Sequence, residues 1–393
     1  MGLNYTYLEA VTYRRIAVLS TGRQDWGILR ELCRLLRADA HFELLLMLGG
    51  MHGAAIFGRT RDMVVAEGFV PCEELNWIPD SQPLDPERQA GDAVWMTAGA
   101  LRRQRAEALV LLGDRFETAS AALGAALARV PVVHLHGGEE TAGAIDNALR
   151  HAITKLSHLH FTSHPEHTAR VIALGEDPAT VHTVGAPGLD NLHRSDLPDR
   201  AELEQFLEMP LSPPVVLVTL HPTTLGADPA AEAAAVVGAM DAVEASYVIT
   251  LPNADPGNEP VRVALLAAAA QPRRKAVEAL GERRFWAMMR LADAMLGNSS
   301  SAVIEAPAVG LPAVNIGDRQ KGRVRGGNLV DAAPDTASVT AALCTALTPE
   351  FRARAQAAPS PFGKGGASAA IIEILRRWTP PIPPVKRKVP VPT

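Results

Sequence analysis

The sequence predicts an α/β protein made of two Rossmann-like halves, and three observations carry that expectation. Short apolar runs rich in β-formers alternate with longer stretches at helical spacing along most of the 393 residues, the pattern of parallel strands joined by crossover helices. That length exceeds one ordinary core and suits two domains of roughly 150–200 residues. Between them the pattern lapses into RSDLPDRAELEQFLEMPLSPP at 194–214, a charged stretch closed by prolines that reads as an interdomain connection.

The expected boundaries follow from this. A first domain takes residues 1–193, with strands at 15–20, 42–48, 108–112, 132–135, 158–162 and 181–184. The second domain takes 215–378, with strands at 215–219, 247–251, 294–296 and 313–316, and the proline-rich, basic residues 379–393 read as a flexible or extended tail. Each early strand precedes a Gly, Asp, Ser or His cluster. In open α/β sheets ligands gather beyond the carboxyl ends of the strands, so the placement of these clusters is itself a site signal.

Composition narrows the function classes. With 47% hydrophobic and 21% charged residues the chain should fold throughout. A formal net charge of -5 gives no reason to expect nucleic acid or an acidic membrane as partner. Cys33, Cys72 and Cys344 are scattered and odd in number, which favours a reducing cytoplasm over a disulfide framework. No apolar run reaches the roughly 18 residues of a membrane span, and the first residues lack a signal-peptide core. A soluble, unprocessed protein is the expectation.

The candidate site residues lie at strand ends. The first strand runs into STGRQDWG, where Arg23 at a helix start suits a diphosphate, although an ordinary βα turn explains the segment as well. Neither GxGxxG nor a Walker loop is present, which argues against a hydride carrier or an ATPase. In LVLLGDRFETAS a buried strand delivers Gly113 and Asp114, the latter either a general base or the N-cap of the following helix. The densest cluster is HLHGGEETAGAIDNALRHAITKLSHLHF. His134 and His136 lie two apart and would share a strand face, Gly137 and Gly138 permit close backbone approach, and Glu139 follows. Asp146, Arg150 and Lys155 would form a stripe on one helix face, either as a site or as a solvated ion-pair ladder. Metal binding by His134, His136 and Glu139 is the weaker reading, since no spacing specific for a metal site accompanies them.

In the second half, VVLVTLHPTT places His221 after a strand, where a histidine can donate to phosphate or shuttle a proton near neutral pH. GNSSSAVIEAP follows another strand. Gly297, Ser299 and Ser300 would cradle phosphate at a helix start, with Ser299 alternatively a cap, and Glu305 one turn into that helix would take the ribose hydroxyls. The basic, glycine-rich loop at 317–328, with Arg319, would close over the phosphates.

Taken in order, STGRQDWG, LGDRFE, HLHGGEETAGAIDNALRHAITKLSHLHFTS, TLHPTT and GNSSSAVIEAPAVGLPAVNIGDRQKGR resemble the UDP-N-acetylglucosamine 2-epimerase family, especially its hydrolysing branch, over about residues 15 to 370. The resemblance implies a GT-B-like fold in which two Rossmann-like domains face a central cleft, the second holding UDP and the first the sugar. It implies UDP-N-acetylglucosamine converted to N-acetylmannosamine and UDP through a 2-acetamidoglucal, for nonulosonic acid biosynthesis, with no cofactor or metal. Alternatives are the hydrolysing enzyme for UDP-2,4-diacetamido-2,4,6-trideoxyglucose, a non-hydrolysing epimerase, and a GT-B glycosyltransferase. A homodimer or tetramer is implied as well.

By position, Asp114 and Asp146 match acid–base carboxylates, Arg150 an arginine near sugar and diphosphate, and His221 a phosphate-facing histidine. Arg23 matches the first-loop arginine, Ser299 and Ser300 the phosphate-binding serines, and Glu305 the ribose-binding acid. One departure stands out. Many members carry glutamate where this chain has His136, so the acid–base duty falls to His136 itself or to Glu139.

Overall fold

The computed structural model describes residues 13–78, 85–140, 146–223, 228–252 and 257–386. They form two compact units. The first takes the chain through Gly138, Ala148–Pro187 and the segment from Ser368; the second takes Glu139–Asn147 and Gly188–Ala367.

In the first unit the chain alternates strand and helix: β1 Arg14–Ser20, α1 Arg23–Ala38, β2 Phe42–Gly49, α2 Arg61–Ala66, β3 Glu73–Leu75, α3 Pro86–Arg103, β4 Ala108–Leu112, α4 Phe116–Ala128, β5 Val132–Leu135, α5 Asp146–Leu156, β6 Leu159–Thr162, α6 Pro165–Ala173 and β7 Val181–Thr183. The strands are parallel in the order β3-β2-β1-β4-β5-β6-β7. Strand β4 is buried at every residue, which is why it reads as an unbroken apolar run rather than an alternating one.

The second unit repeats the scheme: α7 Arg200–Leu207, β8 Val215–Thr219, α8 Pro229–Ala242, β9 Ser246–Thr250, α9 Asn258–Ala268, β10 Arg274–Val277, α10 Gly281–Leu291, β11 Ala294–Gly297, α11 Ser301–Ile304, β12 Ala313–Ile316, β13 Leu329–Ala332, α12 Thr336–Leu347 and α13 Pro349–Ala357. Its parallel order is β10-β9-β8-β11-β12-β13. In both sheets the strand order reverses beside the first strand, between β1 and β4 and between β8 and β11. Such switch points open a crevice at the strand ends where ligands bind in this architecture.

The expected α/β class and all ten expected strands are present within a residue or two. Three strands were not expected. Strands β3 and β13 carry charged residues and are short, and β10 begins Arg274–Lys275, so none has the apolar run that marks a buried strand.

The domain boundaries need correction at three places. The expected connection at 194–214 contains α7, which has a complete capping box between Asp199 and Glu202 and buries Leu203 and Leu207. Its charged face masked a short amphipathic helix. The last helix, α14 Ala367–Arg377, returns to the first unit, where Ile371, Ile372 and Leu375 join the core of Ile16, Val18, Leu29, Leu32 and Leu36. Finally, the expected tail is fixed as far as Lys386, which bonds to Glu176; residues 387–393 lie outside the described residues.

Because Leu375 is fully buried in the first unit, Leu375→Ala should cost about 2–5 kcal/mol. Hydrogen exchange should show the loss in β1 and α1 while β8, β9 and β11 keep their protection. Loss confined to the second unit's strands would contradict this assignment.

Candidate functional site

At the switch point of the first unit, β1 and β4 deliver two loops. After β1, Thr21 N and Oγ1 lie 2.9 Å and 2.5 Å from the buried Asp25 carboxylate, which folds back over the start of α1. Burial raises the Asp25 pKa and the Thr21 hydrogen bonds oppose it. Arg23, the first residue of α1, is exposed. The turn is braced by His52, which sequence reading missed. Its Nε2 lies 2.8 Å from Ser20 Oγ and its Nδ1 2.9 Å from Thr60 Oγ1. The Ser20 hydroxyl also donates to the Gly22 carbonyl at 3.3 Å. Burial pushes the His52 pKa down to about 4, so the ring is neutral at pH 7. The signal in the sequence was GGMHG immediately after an expected strand.

After β4, Gly113 adopts φ +80 and Asp114 follows. Asp114 is not a helix cap. The N-cap of α4 is Arg115, with no side-chain capping bond, and the Asp114 carboxylate instead pairs with Arg150 of α5, whose side chain is only 3% exposed. Arg115 makes a two-pronged pair with the buried Glu117, at 2.9 Å and 3.2 Å. A bidentate guanidinium–carboxylate contact of this kind fixes both side chains.

The histidine cluster departs from expectation. Strand β5 ends at Leu135, and His136 turns into the left-handed region at φ 64, so the alternation that would put His134 and His136 on one face stops between them. His134 is fully buried. Its Nε2 donates to the Gly113 carbonyl at 2.8 Å and its Nδ1 lies 3.2 Å from Thr154 Oγ1. The first of the two glycines that follow is tightly enclosed, and the second is sterically required. A Cβ on Gly137 would meet His134 Nδ1 at 3.0 Å, and one on Gly138 would meet the His167 carbonyl at 2.3 Å. Lys155 leaves the expected stripe because five residues rotate a helix by roughly 140° from Arg150; its ammonium binds Glu176 at 2.6 Å and the Leu174 carbonyl. Asp146 opens α5 and is half-buried. Among the described residues no group of three or more His, Cys, Asp or Glu side chains is placed to hold a metal.

In the second unit the switch point is organised by Asn298. Its side chain accepts from His221 N at 2.9 Å and donates to His221 O at 2.8 Å, as a neighbouring strand would. Its carbonyl accepts from Arg319 at 3.0 Å and Gln320 at 2.8 Å. Three loops, after β8, β11 and β12, are thereby tied to one fully buried residue. The preceding Gly297 has φ +144, and a Cβ there would lie 2.0 Å from the Thr219 carbonyl, so only glycine fits.

Ser299 is buried, and its hydroxyl accepts from Ser301 N at 3.3 Å, a local turn bond. The helix expected to follow is a single turn. Helix α11 ends at Ile304, and Glu305 is its C-cap before a 3-10 turn at Ala306–Val309, so Glu305 does not sit inside a continuing helix. Pro307 limits the helix here. The basic loop is anchored along its length: Arg323 lies 3.9 Å from Glu139, and Arg325 reaches Asp331 at 2.5 Å. Beside it a cavity of about 880 Å³ opens at the ends of β12 and β13, lined by residues including Thr223, Glu232, Asn315, Lys321 and Arg325.

His221 is not poised near neutrality. Burial, with Arg319 adding to it, lowers its pKa to about 4, so at pH 7 the ring is a neutral donor rather than an imidazolium.

Residues 34–376 match the family described as UDP-N-acetylglucosamine 2-epimerase. The chain is 33% identical to a GDP/UDP-N,N'-diacetylbacillosamine 2-epimerase (hydrolyzing) from Campylobacter jejuni, over 81% of this chain and 84% of that one. It is 31% identical to a UDP-N,N'-diacetylbacillosamine 2-epimerase (hydrolyzing) from Legionella pneumophila, over 81% and 85%. Among solved structures, UDP-GlcNAc 2-epimerase from Neisseria meningitidis bound to UDP-GlcNAc superposes with a TM-score of 0.80 at 16% identity, covering 92% of this chain and all of that one. The chain belongs to the UDP-N-acetylglucosamine 2-epimerase family, and its fold is the two-domain, parallel-sheet fold of those epimerases.

The His221 assignment is directly measurable. In an NMR titration of the protein without added ligand its ring resonances should shift with a midpoint near pH 4, well below that of an ordinary histidine. A midpoint near 6.5 would show that burial and Arg319 do not govern the ring.

Proposed function

We propose that this protein is a hydrolysing 2-epimerase of a UDP-activated 2-acetamido sugar, with UDP-N,N'-diacetylbacillosamine, the 2,4-diacetamido-2,4,6-trideoxyglucose nucleotide, preferred over UDP-N-acetylglucosamine. The observation that carries the reaction class is the Asp114–Arg150 pair at the switch point of the first unit. The sugar preference rests on the two hydrolysing relatives above 30% identity, both named for the diacetamido sugar. UDP-N-acetylglucosamine, placed first by sequence reading, becomes the second substrate to test.

The chemistry accounts for the residue types. The sugar C2–H is not acidic, so its proton must be taken by a positioned base while the C1–O bond to UDP breaks. The C–H electrons form the C1–C2 double bond of the glycal, and UDP departs with the C–O pair. Water then adds its hydroxyl to C1, and an acid returns a proton to C2 from the opposite face. Net, one sugar nucleotide and one water give UDP and the free 2-epimer, without redox chemistry or a metal.

In this reading Asp114 is the base, held by Arg150, while Asp146, Glu139 and His136 supply the second acid–base position. Arg23, His221, Ser299, Ser300 and Arg319 serve the diphosphate and Glu305 the ribose, with Gly113 and Gly297 giving the backbone its shape. A neutral His221 donates one N–H to the leaving diphosphate, which is electrostatic stabilisation rather than proton shuttling.

A homo-oligomer is part of the same reading, supported by Trp95, Leu123 and Leu127, which are exposed on the packed pair α3 and α4. So is a cytoplasmic site of action, and no described helix is long and apolar enough to cross a membrane.

Incubation with each sugar nucleotide, followed by NMR and UDP release, should give free 2-epimerised sugar, faster from the diacetamido compound. Asp114→Asn should lower kcat by about 10²–10⁴ while UDP still binds. Accumulation of a UDP-linked epimer would make the enzyme non-hydrolysing, and UDP release that requires an acceptor would make it a transferase.

A further inference from the structure

Beyond α14 the chain stays on the first unit. Arg14 donates to the carbonyls of Arg376 and Trp378. Further along, Lys386 Nζ lies 2.7 Å from Glu176 Oε2 and 3.2 Å from the Thr154 carbonyl. The family match ends at residue 376, so membership does not account for this segment.

Glu176 is 3% exposed. A carboxylate so deep keeps its charge only if donors replace water. Three do: Lys155 Nζ at 2.6 Å, His160 Nε2 at 3.1 Å, and Lys386. Burial alone would raise the Glu176 pKa, but these bonds outweigh it and hold the pKa at about 2; burial keeps the His160 pKa low, so that ring donates as a neutral group. The cluster grips the last turn of α5 twice, through the Lys155 side chain and through the Thr154 carbonyl, where a cation also suits the helix terminus.

That turn is the reference point for the first-unit site. Thr154 Oγ1 meets His134, His134 holds the Gly113 carbonyl, and Asp114 is the next residue. Arg150, one turn earlier on the same helix, is the partner of Asp114. Both members of the pair are therefore set by the turn that Lys386 holds.

We propose that Lys386 is a positioning residue, the tip of a C-terminal strap that fixes α5 and through it the Asp114–Arg150 pair. The proposal rests on the reading that this pair acts on the sugar. Lys386 itself touches no reacting atom.

The test compares full-length wild type with Lys386→Met and Lys386→Arg, by hydrogen exchange of α5 without ligand and by steady-state kinetics on the sugar nucleotide that wild type turns over. Lys386→Met should speed exchange through residues 148–156 by about tenfold or more. It should also lower kcat about tenfold with KM within about twofold, because misplacing a reacting group acts on the chemical step. Lys386→Arg should restore both. Should Lys386→Met not fold, Glu176→Gln with Lys386→Met removes both charges and must show the same pattern. Unchanged exchange in α5, unchanged kcat, a change confined to KM, or no rescue by arginine overturns the proposal. If wild type turns over no sugar nucleotide, the functional reading fails, while the α5 exchange still decides whether the strap orders that helix.

Discussion

A parallel sheet sends the carboxyl ends of its strands to one edge, and everything else in this molecule follows from that constraint. The loops leaving those ends carry the polar residues, and they have no ladder hydrogen bonds of their own. In both units a fully buried polar side chain supplies what the ladder no longer does. Asn298 imitates a strand neighbour for His221 and collects Arg319 and Gln320 on its carbonyl. His134 does the equivalent for Gly113, and His52 for the turn after β1. Burial makes each bracket obligatory, since an unpaired amide or imidazole there would cost roughly 1–3 kcal/mol. Fixing the loop backbone through buried side chains is the kind of arrangement that electrostatic preorganisation requires.

Much of this was legible in the sequence. The buried strands announce themselves as apolar runs, and Gly297 and Gly138 mark backbone positions where a Cβ would strike a carbonyl. Arg23 and Asp114 follow β1 and β4, and His221 and Ser299 follow β8 and β11, the strands that flank the two switch points. What escaped notice has physical causes. Strands β3, β10 and β13 carry charge, and α7 presents a charged face. The return of α14 to the first unit is a tertiary event with no local signature. Side-chain direction was the least legible feature. Nothing in the spacing said that His136 would leave the strand at positive φ, that Asp114 would choose Arg150 over the helix terminus, or that Lys155 would turn to Glu176.

His52 and His221 are both driven down by burial, to about 4, and held neutral. The proposed mechanism accordingly gives the proton at C2 to the carboxylates, and the leaving diphosphate to neutral donors, arginines and backbone.

The central claim is that a carboxylate takes the C2 proton and that water, not UDP, completes the product. The most direct measurement is the reaction run in deuterium oxide with the preferred sugar nucleotide, with the product read by proton NMR. Free sugar of inverted C2 configuration carrying one deuterium at C2 is the predicted result. Protium retained at C2 of the epimerised product would contradict removal of that proton to solvent, and with it the mechanism built on Asp114 and Arg150.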